Sequence, residues 1–504
     1  MKRNPDSLTH RAVGGMVWVA WGSWAIGVLK LVVLVLLTRL LSPADFGVVG
    51  AALIVIGFAL TFSQLGLGPA LVHRPNLEPG HISTAFLASI GFGLLAAGLV
   101  WLLAPVLAGF FRMEQLAPVI RVLALVFPIV GFSTVAENLI HRDLRFRLLA
   151  NSDVLAYGVG YGLVGVVLGL LGWGVWALVA AQLTQTLLRA AILLRAVPPP
   201  PLRPGPTWAC FRELMEYGAG QSAGRIGVFF ANEADNLVVG HSLGAVALGL
   251  YSRAYQLMAV PTALFGNVLD NVLFPTMARV QDDPRRLSSA YLQGTALVAL
   301  VALPAGVVAA VLAPDLVAVA FGSGWEGLVP PFQVLALGMM FRTSYRMSDS
   351  LARATGRVYR RAWRQALYAG LVFLGAWVGH FHGVLGVAVG VLGALFVNYL
   401  LMAHLSLSVG QISWPRFAQA QLPALWLTIL VGAVTVGITG WTRYLGLPPV
   451  ASLLAGSAAA AGIAFLAAWL APTLVLGDDG IRLRDTLRAY LLSRLRPARL
   501  RGPA

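Results

Sequence analysis

Runs of about twenty apolar residues, separated by short segments rich in Pro, Gly and Arg, recur from one end of the chain to the other. They occupy 16–37, 48–67, 82–107, 116–139, 154–171, 173–194, 214–239, 245–265, 291–312, 328–348, 363–380, 385–405, 422–440 and 450–470. A helix of roughly 20 apolar residues crosses ~30 Å of hydrocarbon and satisfies its own backbone N–H and C=O groups, which lipid cannot do. The pattern therefore predicts an all-α membrane protein of about 14 transmembrane helices. The first run is too long for the apolar region of a secretory signal and lacks a small-x-small cleavage site, so it is expected as a retained span.

Charge then gives the runs an orientation. Alternate connections hold Lys2, Arg3 and Arg11; Arg74; Arg142, Arg145 and Arg147; Arg189, Arg195, Arg203 and Arg212; Arg279, Arg285 and Arg286; Arg353, Arg357, Arg360, Arg361 and Arg364; Arg416; and seven arginines from Arg482 to Arg501. That set has 27 cations, whereas the opposite set has four, Arg39, Arg112, Arg121 and Arg443. Cations collect on the cytoplasmic side, so both termini are expected there and the number of spans is expected to be even. The net charge of +16 thus reports topology rather than a nucleic-acid surface, in a chain that is 58% hydrophobic and only 11% charged.

The proline-rich stretch 197–206, VPPPPLRPGP, cannot continue a helix. It predicts an extended cytoplasmic linker (198–206) between a six-helix lobe at 1–197 and a second at 207–410, followed by an extra helix pair at 411–470 and a basic cytoplasmic tail at 471–504. At an offset of 202, Leu41, Phe46, Gly47, Val48 and Val49 fall opposite Leu243, Leu248, Gly249, Leu250 and Tyr251. Chance also produces matches this short in apolar sequence. Taken as a repeat, it relates two halves of equal orientation about an axis along the membrane normal, an arrangement used for alternating access.

Five cations lie inside apolar runs: Lys30, Arg225, Arg253, Arg342 and Arg346. A mid-helix Arg costs about 2.5–3.5 kcal/mol on insertion scales, so such residues face protein or a watery cavity. In span ten, Arg342, Tyr345, Arg346 and Asp349 share one helical face. Either Arg346 and Asp349 pair near the cytoplasmic end, or the face is a cationic wall that receives phosphate oxygens through the guanidinium fork. Span seven carries Gln221, Ser222, Arg225, Asn232, Asp235 and Asn236, mostly in one stripe that suggests a cavity face. Asp235 and Glu233 are candidates for coupling to a proton or sodium ion, with a polar interhelical contact as the alternative. Lys30 and Arg253 either complete the cationic lining or snorkel to an interface.

Other chemistry finds no support in the sequence. Cys210 is the single cysteine, which excludes an intrachain disulfide and Cys-ligated metal sites. His380 and His382 flank a short outer turn and read as interfacial rather than as metal ligands, and the phosphate loop of nucleotide hydrolases is missing. Neither a metal nor an organic cofactor is expected.

Four stretches carry a resemblance. LSPADFGVVGAALIVIGFALTFSQLGLGPALVHR at 41–74, GLYSRAYQLMAVP at 249–261, LFPTMARVQDD at 273–283 and FGSGWEGLVPPFQVL at 321–335 are similar to the polysaccharide-transport branch of the multidrug/oligosaccharidyl-lipid/polysaccharide exporter superfamily. Wzx-type and colanic-acid-exporter-like flippases are the nearest likeness. The resemblance implies two six-helix lobes around a central cationic cavity plus two C-terminal helices. It also implies transport, without catalysis, of an undecaprenyl-diphosphate-linked oligosaccharide from the cytoplasmic to the periplasmic leaflet. Partners would be membrane lipids, a polysaccharide polymerase and a chain-length regulator. Arg342 matches an arginine common at this place in the family, whereas Tyr345 and Arg346 depart from the pattern. The rival readings are a multidrug antiporter of the same superfamily, which favours acidic and aromatic cavity groups, and a membrane glycan polymerase or ligase. The latter needs an acidic or histidine-bearing outer loop, and the longest outer connection, 313–327, offers only Asp315 and Glu326.

Overall fold

The structure is a computed structural model that describes residues 22 and 25–470, apart from 64–65, 75, 201–204, 206, 280 and 282; at 63, 73, 217–226, 263–276, 284 and 358 it describes the backbone alone. All regular structure among the described residues is helical. The first part of the chain comprises α1 (25–40), α2 (Pro43–Ser63), the short α3 (Leu67–His73), α4 (Pro79–Phe111), and α5 (Leu116–Leu123) leading into α6 (Val126–Arg142). It continues through α7 (Phe146–Tyr157), which passes through a π-helical stretch (Gly158–Gly165) into α8 (Val166–Leu170), then α9 (Val175–Ala196) and α10 (Trp208–Arg279). There follow α11 (Pro284–Val311), α12 (Ala313–Ala320), α13 (Val329–Leu337), α14 (Met339–Ala354), α15 (Val358–Gly379), α16 (Gly383–Gly410), α17 (Trp414–Gln419), α18 (Leu422–Tyr444) and α19 (Pro449–Leu470).

Nine described helical segments are long and apolar enough to cross a membrane, and one of them, Tyr359–Gly410, holds two spans joined at the turn His380–His382. The remaining spans are α1, the two arms of α10 and the α13–α14 pair, the segments that carry the in-span cations. Fourteen spans result, as the apolar runs predict. The expected loop between spans seven and eight is instead a single break at Gly244 within α10, whose φ of 83° and ψ of −173° suit glycine, which has no Cβ to clash. Spans also outrun their apolar cores: α4 starts at Pro79 and ends only where Arg112 turns left-handed. The LSPAD stretch works as a helix start, since the Ser42 N–H and hydroxyl both donate to Asp45 Oδ2 (2.9 and 2.7 Å) and Pro43 occupies the first turn.

Contacts gather the chain into two compact units that cut it at points other than the lobe boundaries expected at 197 and 207. The first comprises the described residues to Gln256, with 320–328 and 365–391; the second comprises 257–319, 329–364 and the described residues from 392. Inside the first unit the start of α2 crosses α10 just beyond Gly244. A Cβ on Gly47 would sit 1.8 Å from the Ala245 carbonyl oxygen, and one on Gly249 would sit 1.9 Å from the Pro43 carbonyl oxygen. These two contacts are reciprocal at the offset of 202 read in the sequence, so the repeat has a physical counterpart: two helix starts touching backbone to backbone. The same unit is tied by Arg189 of α9, which donates to both Glu137 oxygens on α6 (2.9 and 2.8 Å) and to Asp153 on α7 (2.6 Å).

The second unit is built on α11. Tyr291, Met340, Met347, Leu351 and Phe417 are buried in its core, and the Tyr291 hydroxyl bonds Ser348 Oγ at 2.9 Å. The extra pair α18–α19 packs together and α18 packs on α11, with Arg443 reaching Asp315 at 2.6 Å.

Candidate functional site

A cavity of about 590 Å³ lies within the first unit. Its walls come from α1 (Lys30, Leu34, Leu37), α2 (Phe46, Val49, Gly50, Leu53), α7 and the π-helical stretch (Tyr157, Tyr161), α9 (Leu178, Gln185) and both arms of α10 (Glu233, Arg253, Gln256). Glu233 lies eleven residues before Gly244 and Arg253 nine after it, or about 17 and 14 Å along the two arms. Both therefore sit near half the ~30 Å depth of the hydrocarbon, where an uncompensated charge is most costly.

Aromatic faces hold the two cations. The Arg253 guanidinium lies 4.9 Å from the centre of the Phe46 ring and one of its terminal nitrogens donates to Gln256 Oε1, while its Nε is buried without a hydrogen-bond partner. Lys30 Nζ lies 5.7 Å from the Tyr157 ring centre. Among the described residues neither cation has a carboxylate within ion-pairing distance. Glu233 shares the cavity, but its side chain accepts from Asn236 Nδ2 at 3.0 Å. Two fixed cations and one carboxylate leave the site net positive, matched to an anion with several oxygens.

Phe46 is positioned from its other side by Trp325, whose ring meets it edge-on at 5.5 Å and whose indole N–H donates to the Thr38 carbonyl at 2.9 Å. Trp325 is 1% exposed, so the FGSGWEG stretch plugs into α1 and α2 behind the site. Tyr157 and Tyr161 stack at 5.0 Å with 18° between their planes. The Tyr161 hydroxyl donates to Gln182 Oε1 at 2.8 Å, and Gln182 in turn donates to Thr186.

Residues 36–330, more than half of the chain, match the family model described as polysaccharide biosynthesis protein. The chain belongs to this family. Two relatives extend the match along the chain. The teichuronic acid biosynthesis protein TuaB of Bacillus subtilis is 24% identical over 477 residues, 91% of this chain and 95% of its own. The lipopolysaccharide biosynthesis protein WzxC of Escherichia coli is 25% identical over 402 residues, 78% and 80%. Among solved structures, the lipid II flippase MurJ in an inward closed conformation superposes with a TM-score of 0.71 at 12% identity, over 90% of this chain and 99% of its own. An inward-facing multidrug resistance transporter of the MATE family, in the MOP superfamily, gives 0.58 at 16% identity, over 78% and 99%. The fold of this family member is thus the fourteen-helix, two-lobe fold of those neighbours.

Of the site residues expected from sequence, the structure brings Lys30, Arg253 and Glu233 into one cavity. Asn232 does not line it: the residue is exposed and its amide donates to the Val228 carbonyl on its own helix (2.9 Å). Asp235 is 1% exposed and accepts from the Tyr251 hydroxyl at 2.7 Å, behind the cavity wall. Arg342, Tyr345 and Arg346 lie on α14 in the second unit. Asp349 on the same face is bound by Arg353 at 3.1 Å and by Arg361. The side chains of Gln221, Ser222 and Arg225, the linker residues 201–204 and 206, and the tail 471–504 lie outside the described residues.

Sequence reasoning did not find Tyr157, Tyr161, Gln185 and Gln256. The available signal was a pair of tyrosines at i, i+4 in a glycine-dense span, opposite a span carrying Gln182, Gln185 and Thr186. Polar groups at such depth point inward, but no charge marked them.

Proposed function

We propose that this protein moves a lipid-linked oligosaccharide bearing an undecaprenyl diphosphate from the cytoplasmic to the periplasmic leaflet during polysaccharide synthesis. The observation that carries the reading is the pair Lys30 and Arg253, held at mid-membrane depth in one cavity with no carboxylate paired to either among the described residues. A diphosphate must shed water to cross hydrocarbon, and two cations facing one cavity replace that water while the prenyl tail stays in lipid. Alternating access of the lobes at 1–197 and 207–410, with both termini cytoplasmic, presents the head group first to one side and then to the other. Return is coupled to a proton or sodium ion through Glu233. A polymerase and a chain-length regulator receive the product, and the chain itself catalyses no reaction. Asp315 and Glu326, the acidic groups available to a polymerase or ligase reading, are taken up by Arg443 and by the Gly324 N–H.

The test is export of lipid-linked glycan in a strain lacking its own flippase, normalised to membrane protein level. Arg253→Ala is expected to abolish export while inserting normally, and Arg253→Lys to retain part of it, since a point charge remains but the fork is lost. Wild-type export by Arg253→Ala would overturn the reading. Glu233 and the tyrosine faces favour a second reading, extrusion of cationic drugs. Drug resistance that depends on Glu233 but not on Arg253 would select it.

A further inference from the structure

We propose that the stacked pair Tyr157 and Tyr161, with Gln185, is a sugar-binding platform that reads the first saccharide attached to the diphosphate. The inference deepens the proposed function and rests on it. The platform is built by a local departure from α-helical geometry. Residues Gly158–Gly165 wind as a π-helix, a rare form that is frequent at functional sites. Tyr157 at its edge and Tyr161 within it lie about one turn apart, with the two phenol rings 5.0 Å apart and nearly parallel. The stretch is also pressed against α9: a Cβ on Gly160 would meet the Ala181 carbonyl oxygen at 2.7 Å and the Gln185 backbone nitrogen at 2.8 Å. Gln185 is thus fixed beside the rings, and the Tyr161 hydroxyl is held by Gln182. An apolar ring face flanked by amide and hydroxyl groups suits a saccharide, whose C–H face packs on an aromatic while its hydroxyls take hydrogen bonds.

Lys30 Nζ sits over the Tyr157 ring and so covers part of the platform. A cation over an exposed ring is held more weakly than one bonded to a phosphate oxygen. An arriving diphosphate draws Lys30 away and bares the Tyr157 face for the sugar next to it. Recognition therefore has an order, diphosphate first and saccharide second, and a sugar without the diphosphate meets a closed platform.

Binding to the full-length protein in lipid nanodiscs tests this with two probes, undecaprenyl diphosphate and the same lipid carrying one hexose, taken in turn from glucose, galactose and N-acetylglucosamine. Wild type is expected to bind one of the glycosylated forms about five- to tenfold tighter than the bare lipid, the scale of an aromatic contact. Tyr157→Ala is expected to lose most of that ratio, and Tyr157→Phe to restore it, because the ring and not its hydroxyl forms the platform. A ratio that survives in Tyr157→Ala, or a wild type with no preference for any hexose, overturns the inference alone. A wild type that binds neither lipid overturns the proposed function together with it.

Discussion

The guanidinium of Arg253 lies over the ring of Phe46, 4.9 Å from its centre, and this contact joins two parts of the chain that the repeat places in corresponding positions of its halves. Phe46 belongs to the DFG stretch after the first outer turn, and Arg253 to the LYSRAY stretch after Gly244. Replacing the ring by an aliphatic side chain removes the aromatic face while keeping an apolar wall. Phe46→Leu is therefore expected to keep insertion and lower glycan export severalfold, as loss of a cation–π contact of about 0.5–2 kcal/mol implies. Export equal to wild type, at equal protein level, would show that Arg253 needs no such support.

Trp325 supports Phe46 from behind, and its removal leaves both a void and an unpaired Thr38 carbonyl. Trp325→Ala is expected to destabilise the protein by about 3–5 kcal/mol, the range for truncating a buried large aromatic. Trp325→Phe fills most of the volume but drops the indole N–H, so the smaller loss, about 1–3 kcal/mol, reflects the orphaned acceptor. Thermal unfolding in detergent, followed by intrinsic fluorescence or by aggregation, reads the order of the three proteins.

The crossing of α2 with α10 has no room for a methyl group on either side. Gly47→Ala and Gly249→Ala would each set a Cβ within 2 Å of a carbonyl oxygen, and backbone cannot yield as a flexible side chain would. Both variants are expected to insert poorly or to lose export. Gly98→Ala, with nothing within 4 Å of the new Cβ, is the control that should behave as wild type. Normal export by Gly47→Ala would mean that the two helix starts stand further apart than described.

Arg189 satisfies two carboxylates on two different helices. Arg189→Ala leaves Glu137 and Asp153 facing each other across a half-buried gap, with an expected cost of about 1.5–3 kcal/mol for each charged hydrogen bond lost. The double variant Glu137→Gln with Asp153→Asn removes the residual charges and should recover part of the stability lost by Arg189→Ala when combined with it. A melting temperature unchanged in Arg189→Ala would contradict this.

At the start of α10, Glu213 receives His81 Nε2 at 3.2 Å and Arg74 at 2.5 Å. The hydrogen bond from His81 and then that from Arg74 hold the Glu213 carboxyl below the usual carboxylate range. A carboxyl lowered on folding contributes stability above its unfolded pKa of about 4.3 and loses it as pH falls through the lower folded value. Glu213→Gln is therefore expected to lower stability modestly near neutrality, where the contribution is present, and to flatten the acid limb so that the variant and wild type converge below about pH 4.3. Melting curves taken across that limb, at low and high salt, check both the sign and the screening expected of an exposed group.

The chain's own pattern determined the number of spans, because a twenty-residue apolar helix is close to the only way to satisfy a backbone in lipid, and that requirement is local. It marked Lys30, Arg253 and Glu233 for the same reason, since a charge inside a span carries its cost wherever the partners lie. Which of the marked charges meet is a different matter. Arg342 and Arg346 carry the same sequence signal as Arg253, yet only tertiary packing places Arg253 beside Lys30 in a cavity and sends Asp349 to Arg353 and Arg361. Tyr157, Tyr161 and Gln185 cost little in isolation, and only the π-helical winding against α9 turns them into a surface. The offset-202 glycines were visible as letters, but their meaning was not: Gly47 and Gly249 are glycine because a carbonyl from the other half of the repeat occupies the space where a side chain would begin.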